Sequence, residues 1–519
     1  MVTLGSHDLT LEEIYSIVFQ KEEIELSDET IARVSHCHEF LKTFSEDKVI
    51  YGINTGLGPM APYKIEKENR KQLQYNAIRS HCSGCGDPIP DKFAKAAMLS
   101  RLNTQLRAYS GIHTEVIELL TLLINKNISP VIPEHGGVGA SGDLVQLAHL
   151  ALMLIGEGEV WYKGEIKPTK EVFAAENITP AEVHIREGLS LMNGTSVMTG
   201  IGVINLMNSY NLLNWSVVAS CMINEIVGSF DDHYSHELNV LKRHKGQVTI
   251  AAFMRNVLST SHRIRKRHEH LYGVEFKEEV LADKVQEYYS LRCVPQILGP
   301  IYDTLQFAEN VLIAEFNSVN DNPIIDPEHE NIFHGGNFHG DYVSLEMDKI
   351  KTVVTRLSML AERQLNYLLN PRLNDLLPPF VNLGTLGLNF GMQGVQFTAT
   401  STVAENQTLS FPNYVHSISC NNDNQDIVSM GTNSALLTKK VVSNTYDVLA
   451  IQFITLLQAI DYLKIQDQLS DYTRAIYDKL RAIVPAFAED TTKSMDIKRI
   501  RKYMEKNRII ASNQMPKLL

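Results

Sequence analysis

Residues 188–224 contain no Asp, Glu, Lys or Arg. A bilayer crossing needs only about 20 apolar residues, so a run this long is either a membrane span or a helix enclosed on every side by protein. Asn193, Asn205, Asn208, Asn211 and Asn214 punctuate it. Amides at that density are expensive in hydrocarbon, whereas neighbouring helices pair with them. The run is therefore predicted as a helix at the centre of a large bundle or at an extensive subunit contact, because a helix apolar all round has no face to give to water. No membrane partner is expected.

Elsewhere the apolar spacing is helical too. Thr10-Leu11-Glu12-Glu13 is a capping box opening a short amphipathic helix, and Leu144, Leu147, Leu150 and Leu154 recur at helical intervals. Residues 342–367 and 427–463 each read as one long helix, the second with only Lys439, Lys440, Asp447 and Asp461 charged. Pro and Gly segments at 130–142, 321–340 and 371–394 break the helices and are the natural loops for chemistry. Strand signals are few. The expected fold class is mainly α, a long-helix bundle core with a loop-rich N-terminal part. At roughly 150 residues per domain the 519 residues suggest about three, placed at 1–190, 191–470 and 471–519.

The 48 Lys and Arg against 60 Asp and Glu leave a net charge of −12, which argues against a nucleic-acid partner. The basic runs 262–268 and 498–502 are expected to be solvated faces. Six scattered cysteines, Cys37, Cys82, Cys85, Cys221, Cys293 and Cys420, argue for a reducing compartment. The first residues lack a basic region followed by an apolar one, so a cytoplasmic protein is expected. Cys82-Ser83-Gly84-Cys85 with His36, Cys37 and His38 invites a zinc reading, but one C-x-x-C without a second spaced pair points instead to buried thiols and helix-face histidines, with no metal. Gly384, Gly387, Gly391 and Gly394 fall at three- and four-residue steps, as a bare stripe on a helix or as a flexible loop.

The most informative stretch is Gly136-Gly137-Val138-Gly139-Ala140-Ser141-Gly142-Asp143-Leu144. Read blandly, it is a loop in which Ser141 or Asp143 caps the following helix and the glycines make turns. Gly137, Gly139 and Gly142 also satisfy G-x-G-x-x-G, which would make the chain an NAD-dependent oxidoreductase. That fingerprint must follow a buried parallel strand, and Pro130 and Pro133 stand where such a strand tolerates none. The third reading is specific. Ala140-Ser141-Gly142 followed by Asp143-Leu144 resembles the self-processing tripeptide of the aromatic amino acid ammonia-lyase family, which includes histidine, phenylalanine and tyrosine ammonia-lyases.

The likeness runs from the block 49–58 (Val-Ile-Tyr-Gly-Ile-Asn-Thr-Gly-Leu-Gly) to Asn424-Gln425-Asp426, with the blocks in the expected order. It implies an almost all-helical homotetramer of the fumarase and aspartase type, each active site built by three subunits. It also implies a 4-methylidene-imidazole-5-one (MIO) group: the amide nitrogen of Gly142 attacks the carbonyl of Ala140, and loss of two waters, with dehydration of Ser141, leaves an electrophilic methylidene. Tyr51 matches the base that takes a β-proton. A phenol of reference pKa about 10 needs positive charge nearby to ionise near neutrality, so cationic neighbours are expected. In Tyr289-Ser290-Leu291-Arg292, Tyr289 matches a catalytic position and Arg292 the fork that grips the substrate carboxylate. Asn193 matches a contact to the prosthetic group and the substrate amine. Gly58, Leu144, Phe338, Glu405 and Gln425 match pocket positions.

Ring selectivity in that family is set at positions matching Ser80 and His81. Ser-His is usual in histidine ammonia-lyases. The spacing of residues 424–430 is that of the tyrosine and phenylalanine enzymes, and the overall sequence looks most like a bacterial branch of tyrosine ammonia-lyases in which Arg-Ser-His also occurs. His81 can bond a phenol or an imidazole, but a bare phenyl ring would leave it unpaired. The resemblance thus orders the substrates tyrosine, histidine, phenylalanine. An aminomutase and a helical scaffold without activity complete the alternatives.

Overall fold

The uncharged run folds as the helix Ser196–Val227 in the computed structural model, which describes residues 1–272 and 284–508. The C-terminal segment 471–519 is thus followed to residue 508, and its last part lies outside the described residues. From Ser196 to Ile226 every residue except Asn208 is buried. Its amides find partners as expected: Asn205 Nδ2 donates to the Ala435 carbonyl at 2.8 Å, and Asn211 Nδ2 to the Tyr446 hydroxyl at 2.9 Å and the Met504 carbonyl at 2.8 Å. Gly200 packs so closely that a Cβ there would lie 2.5 Å from the backbone nitrogen of Ala97.

The other long helices are Val294–Phe316, Asp341–Leu369 and Gly431–Leu463, so the mainly α expectation holds. Gly431–Leu463 is the one helix among the described residues long and apolar enough to cross a membrane, and most of it is buried. The capping box at Thr10 is complete, with both side chains engaged. Gly384, Gly387 and Gly391 lie in a loop, and only Gly394 enters a helix, Gln393–Leu409.

The chain falls into two compact units. The first comprises Met1–Asn205, Ala308–Asp348 and Pro412–Lys439; the second comprises Leu206–Phe307, Lys349–Phe411 and Lys440–Leu519. The linear partition at 190 and 470 does not coincide with them, because four boundaries fall inside the four long helices. All described strands belong to the first unit, as short two- and three-stranded sheets. There the helices Arg70–His81, Leu144–Leu154 and Glu187–Met192 pack on one another.

In the second unit the basic run 262–268 exposes His262, Lys266 and His268, while its arginines also reach inward. Arg263 donates to the carbonyls of Glu225 and Ile226 at 3.1 and 3.3 Å, and Arg265 Nε to that of Gly228. These carbonyls lie at and just past the negative end of the Ser196–Val227 helix, where cations are favoured. Arg265 and Arg267 also lie over the Phe230 ring, 4.5 and 4.6 Å from its centroid. The run 498–502 lies on the helix Ser494–Lys506, where Arg501 pairs with Asp447 at 2.9 Å.

Candidate active site

The loop 136–143 is clamped from several sides of the first unit. The carbonyl of Val138 accepts the Met430 N–H at 2.9 Å, and that of Gly139 accepts the Gly340 N–H at 3.0 Å and the Ser429 hydroxyl at 3.1 Å. Gly142 has φ +67°, and a Cβ on it would meet the Gly194 carbonyl oxygen at 2.0 Å, so no other residue fits there. Ser141 is half-buried. Its carbonyl accepts from Asn193 Nδ2 at 3.3 Å and its hydroxyl from Gln425 Nε2 at 3.1 Å. Gln425 in turn accepts from the Cys420 thiol at 3.4 Å.

Asp143 caps a helix, but not the one that follows it. Leu144–Leu154 has no side-chain cap. The Asp143 carboxylate instead accepts the N–H groups of Val197 and Met198 at 2.8 and 2.9 Å, and the Thr432 hydroxyl. It therefore ties the loop to the positive end of the central helix. Complete burial pushes its pKa up to about 6. Ser141, free of capping, is left to its contacts with Asn193 and Gln425. The strand before the loop, Pro133–His135, is three residues long and antiparallel to Cys85–Pro88, so the context that a dinucleotide fingerprint requires is missing.

Tyr51 lies in a turn held by the Arg70–His81 helix: Gln74 Nε2 donates to the Gly52 carbonyl at 3.0 Å and its Oε1 accepts the Leu189 N–H at 3.3 Å. The Tyr51 hydroxyl accepts the backbone N–H of Gly58 at 2.8 Å. Gly58 faces Asn421, the residue after Cys420, with its missing Cβ 3.0 Å from Nδ2. Contacts thus run from Tyr51 through Gly58 to the 420–425 turn that holds Ser141.

Ser80 and His81 end the Arg70–His81 helix. His81 Nδ1 donates to the Ala77 carbonyl at 2.8 Å, and the Ser80 hydroxyl to the same oxygen at 3.2 Å. With its proton committed at Nδ1, His81 presents Nε2 as an acceptor. Leu144 and Phe338 are half-buried, Leu144 directly after Asp143 and Phe338 two residues before Gly340. Sequence reasoning missed Arg101: fully buried, it donates to the carbonyls of Asn193 and Ser190 at 2.9 and 2.6 Å and so sets the backbone from which Asn193 projects.

Tyr289, Arg292 and Glu405 belong to the second unit. Tyr289 is 71% exposed, with the Arg292 guanidinium 4.5 Å from its ring centroid. Arg292 donates to Gln286 and lines a cavity of about 370 Å³ with His233, Arg267 and Glu287. Glu405 accepts from Asn444 Nδ2 at 2.6 Å and faces Lys440 at 3.7 Å.

Comparison with known proteins places these observations. Residues 9–482 match the family described as aromatic amino acid lyase. The histidine ammonia-lyase of Bacillus cytotoxicus is 37% identical over 506 residues, 97% of each chain. The tyrosine 2,3-aminomutase of Myxococcus fulvus is 38% identical over 500 residues, 94% of each. Among solved structures, the tyrosine aminomutase of Streptomyces globisporus superposes with a TM-score of 0.93 at 35% identity, covering 97% of each chain.

Proposed function

Since this chain belongs to the aromatic amino acid lyase family and is a carbon–nitrogen lyase, we propose that it removes ammonia from L-tyrosine to give trans-p-coumarate, as a cytoplasmic homotetramer whose active sites are shared between subunits. The observation that carries this reading is the clamped loop. Gly142, where the surroundings forbid a Cβ, follows a serine held at both oxygens by Asn193 and Gln425. A tripeptide that closes on itself needs a third residue without a side chain and a fixed backbone, so Ala140, Ser141 and Gly142 fit an MIO group. That group supplies what no side chain offers, an electrophilic carbon that makes the amine nitrogen a better leaving group.

The chain's own residues do the rest. Arg292 takes the substrate carboxylate in its planar fork, with Tyr289 against the guanidinium. Asn193 and Gln425 orient the amine beside residue 141. Tyr51 Oη accepts the β-proton, and the Gly58 N–H fixes that oxygen in place. Gly58, Leu144, Phe338 and Glu405 line the ring and amine pockets.

His81 Nε2, an acceptor, selects a ring that carries a donor. That places tyrosine and histidine ahead of phenylalanine, and the spacing of residues 424–430 supports tyrosine. Two measurements test the proposal. The intact chain is expected to weigh less than its translated sequence by two waters, and tyrosine, histidine and phenylalanine supplied separately are expected to give coumarate fastest. An unprocessed chain in active material overturns the mechanism. Faster release of urocanate overturns the substrate order, and β-tyrosine as the main product replaces deamination by amine migration.

A further inference from the structure

His113, Glu115 and His184, all in the first unit, bring two imidazoles and a carboxylate together with ligand atoms within 4.8 Å of one another, the one such group of histidine, cysteine and acidic side chains among the described residues. His113 is the N-cap of the helix Thr114–Asn125, Glu115 stands in its first turn, and His184 precedes the helix Glu187–Met192. The backbones of both histidines are held by one fully buried carboxylate. Glu187 accepts the His113 N–H through Oε1 at 3.1 Å and the His184 N–H through Oε2 at 2.9 Å. The two rings lie 4.3 Å apart, and His38 closes one side edge-on to His113 at 5.1 Å.

Glu115 Oε2 is 3.9 Å from His113 Nδ1 and 3.8 Å from His184 Nε2, beyond hydrogen-bond reach of either. His184 Nε2 is shut from solvent with no hydrogen-bond partner, although buried polar groups are as a rule paired. His113 Nδ1 accepts the Glu115 N–H at 3.3 Å, a long helix-cap bond that an ion at this nitrogen would displace. Two imidazoles and a carboxylate thus converge, with the His184 Nε2 lone pair unused. Bonds of about 2.0–2.2 Å to a common ion hold ligand atoms about 3.4 Å apart, so both rings and the half-exposed Glu115 side chain draw together from separations of up to 4.8 Å.

We propose that His113, Glu115 and His184 bind a late first-row divalent cation, zinc or cobalt, with water completing the shell. Two imidazoles and one carboxylate suit these ions better than calcium or magnesium, which take oxygen ligands. The ion braces the start of the Thr114–Asn125 helix against the segment that leads to Asn193. It shares no residue with the catalytic cluster, so it stands or falls apart from the deamination chemistry.

The test is titration of the chelator-treated full-length protein with Co²⁺. One saturable equivalent per chain, a visible ligand-field band and a raised Tm are expected. His184→Ala, and Glu115→Gln as the variant that leaves both rings packed, each weaken binding at least ~10-fold and remove the rise in Tm. The exposed His329→Ala changes neither. Absence of a saturable equivalent overturns the proposal, as does binding that survives both ligand variants or falls equally in His329→Ala.

Discussion

Tyr51 and Ser141 enter the proposed chemistry at different stages, and single substitutions separate them. Tyr51→Phe keeps the ring but removes the oxygen that receives the β-proton and the Gly58 N–H. It is expected to lower kcat by ~10²–10⁴-fold while the intact mass still lacks two waters. Ser141→Ala loses the mass deficit and the activity together, and steady-state rates with intact-mass measurement on both variants check the pair. A Tyr51→Phe chain that keeps its rate would remove Tyr51 as the base. At the substrate ring, His81 has its Nδ1 proton committed to Ala77, so its Nε2 discriminates for a donor. His81→Leu is expected to cost about 1–3 kcal/mol in kcat/KM for tyrosine and to improve phenylalanine relative to it. Equal losses on both amino acids would place His81 outside the ring pocket.

At the scale of elements, the central helix Ser196–Val227 is finished at both ends by residues distant in sequence: Asp143 at its start, and Arg263 and Arg265 at its end. Asp143→Ala strands two buried N–H groups and is expected to cost on the order of 2 kcal/mol in chemical denaturation, whereas Asp143→Asn keeps an acceptor and costs less. The pH dependence has a definite sign. Burial raises the folded-state pKa of Asp143 from 3.8 to about 6, so the folded chain holds that proton more tightly than the unfolded one. The carboxyl's contribution to stability therefore falls as pH rises from about 4 to about 6 and is level above. Asp143→Asn loses that slope, and a wild-type and variant difference that is flat across this window would refute the assignment. The helix itself was legible because an uncharged run punctuated by asparagines admits few environments, and the Thr10 capping box because its partners are three residues apart. The caps of the central helix were not legible. Asp143 precedes a helix and reads as that helix's cap, and nothing local in 262–268 directs guanidiniums to carbonyls 37 and 38 residues away. The Ser141 loop stood out by its glycines, whereas Arg101 and the His113, Glu115, His184 group are assembled only by tertiary packing.

For the whole molecule, the distribution of the matched residues makes a quantitative test of site sharing possible. Tyr51, Ser141, Asn193 and Gln425 belong to the first unit, whereas Tyr289, Arg292 and Glu405 belong to the second. If each active site takes Tyr51 from one subunit and Arg292 from another, two inactive variants repair one another in mixed assemblies. Tyr51→Phe and Arg292→Met chains are each expected to be nearly inactive, the second because the substrate carboxylate loses its fork. Unfolded together in equal amounts and refolded, they assort at random. A site is then intact when the subunit giving Tyr51 is an Arg292→Met chain and the subunit giving Arg292 is a Tyr51→Phe chain, two independent choices that recover about one quarter of the wild-type activity in a symmetric oligomer. If one subunit supplied both side chains, every site would carry one lesion and mixing would recover nothing. Activity after co-refolding, measured against the same variants refolded alone and against a size measurement of the assembly, decides between the two architectures.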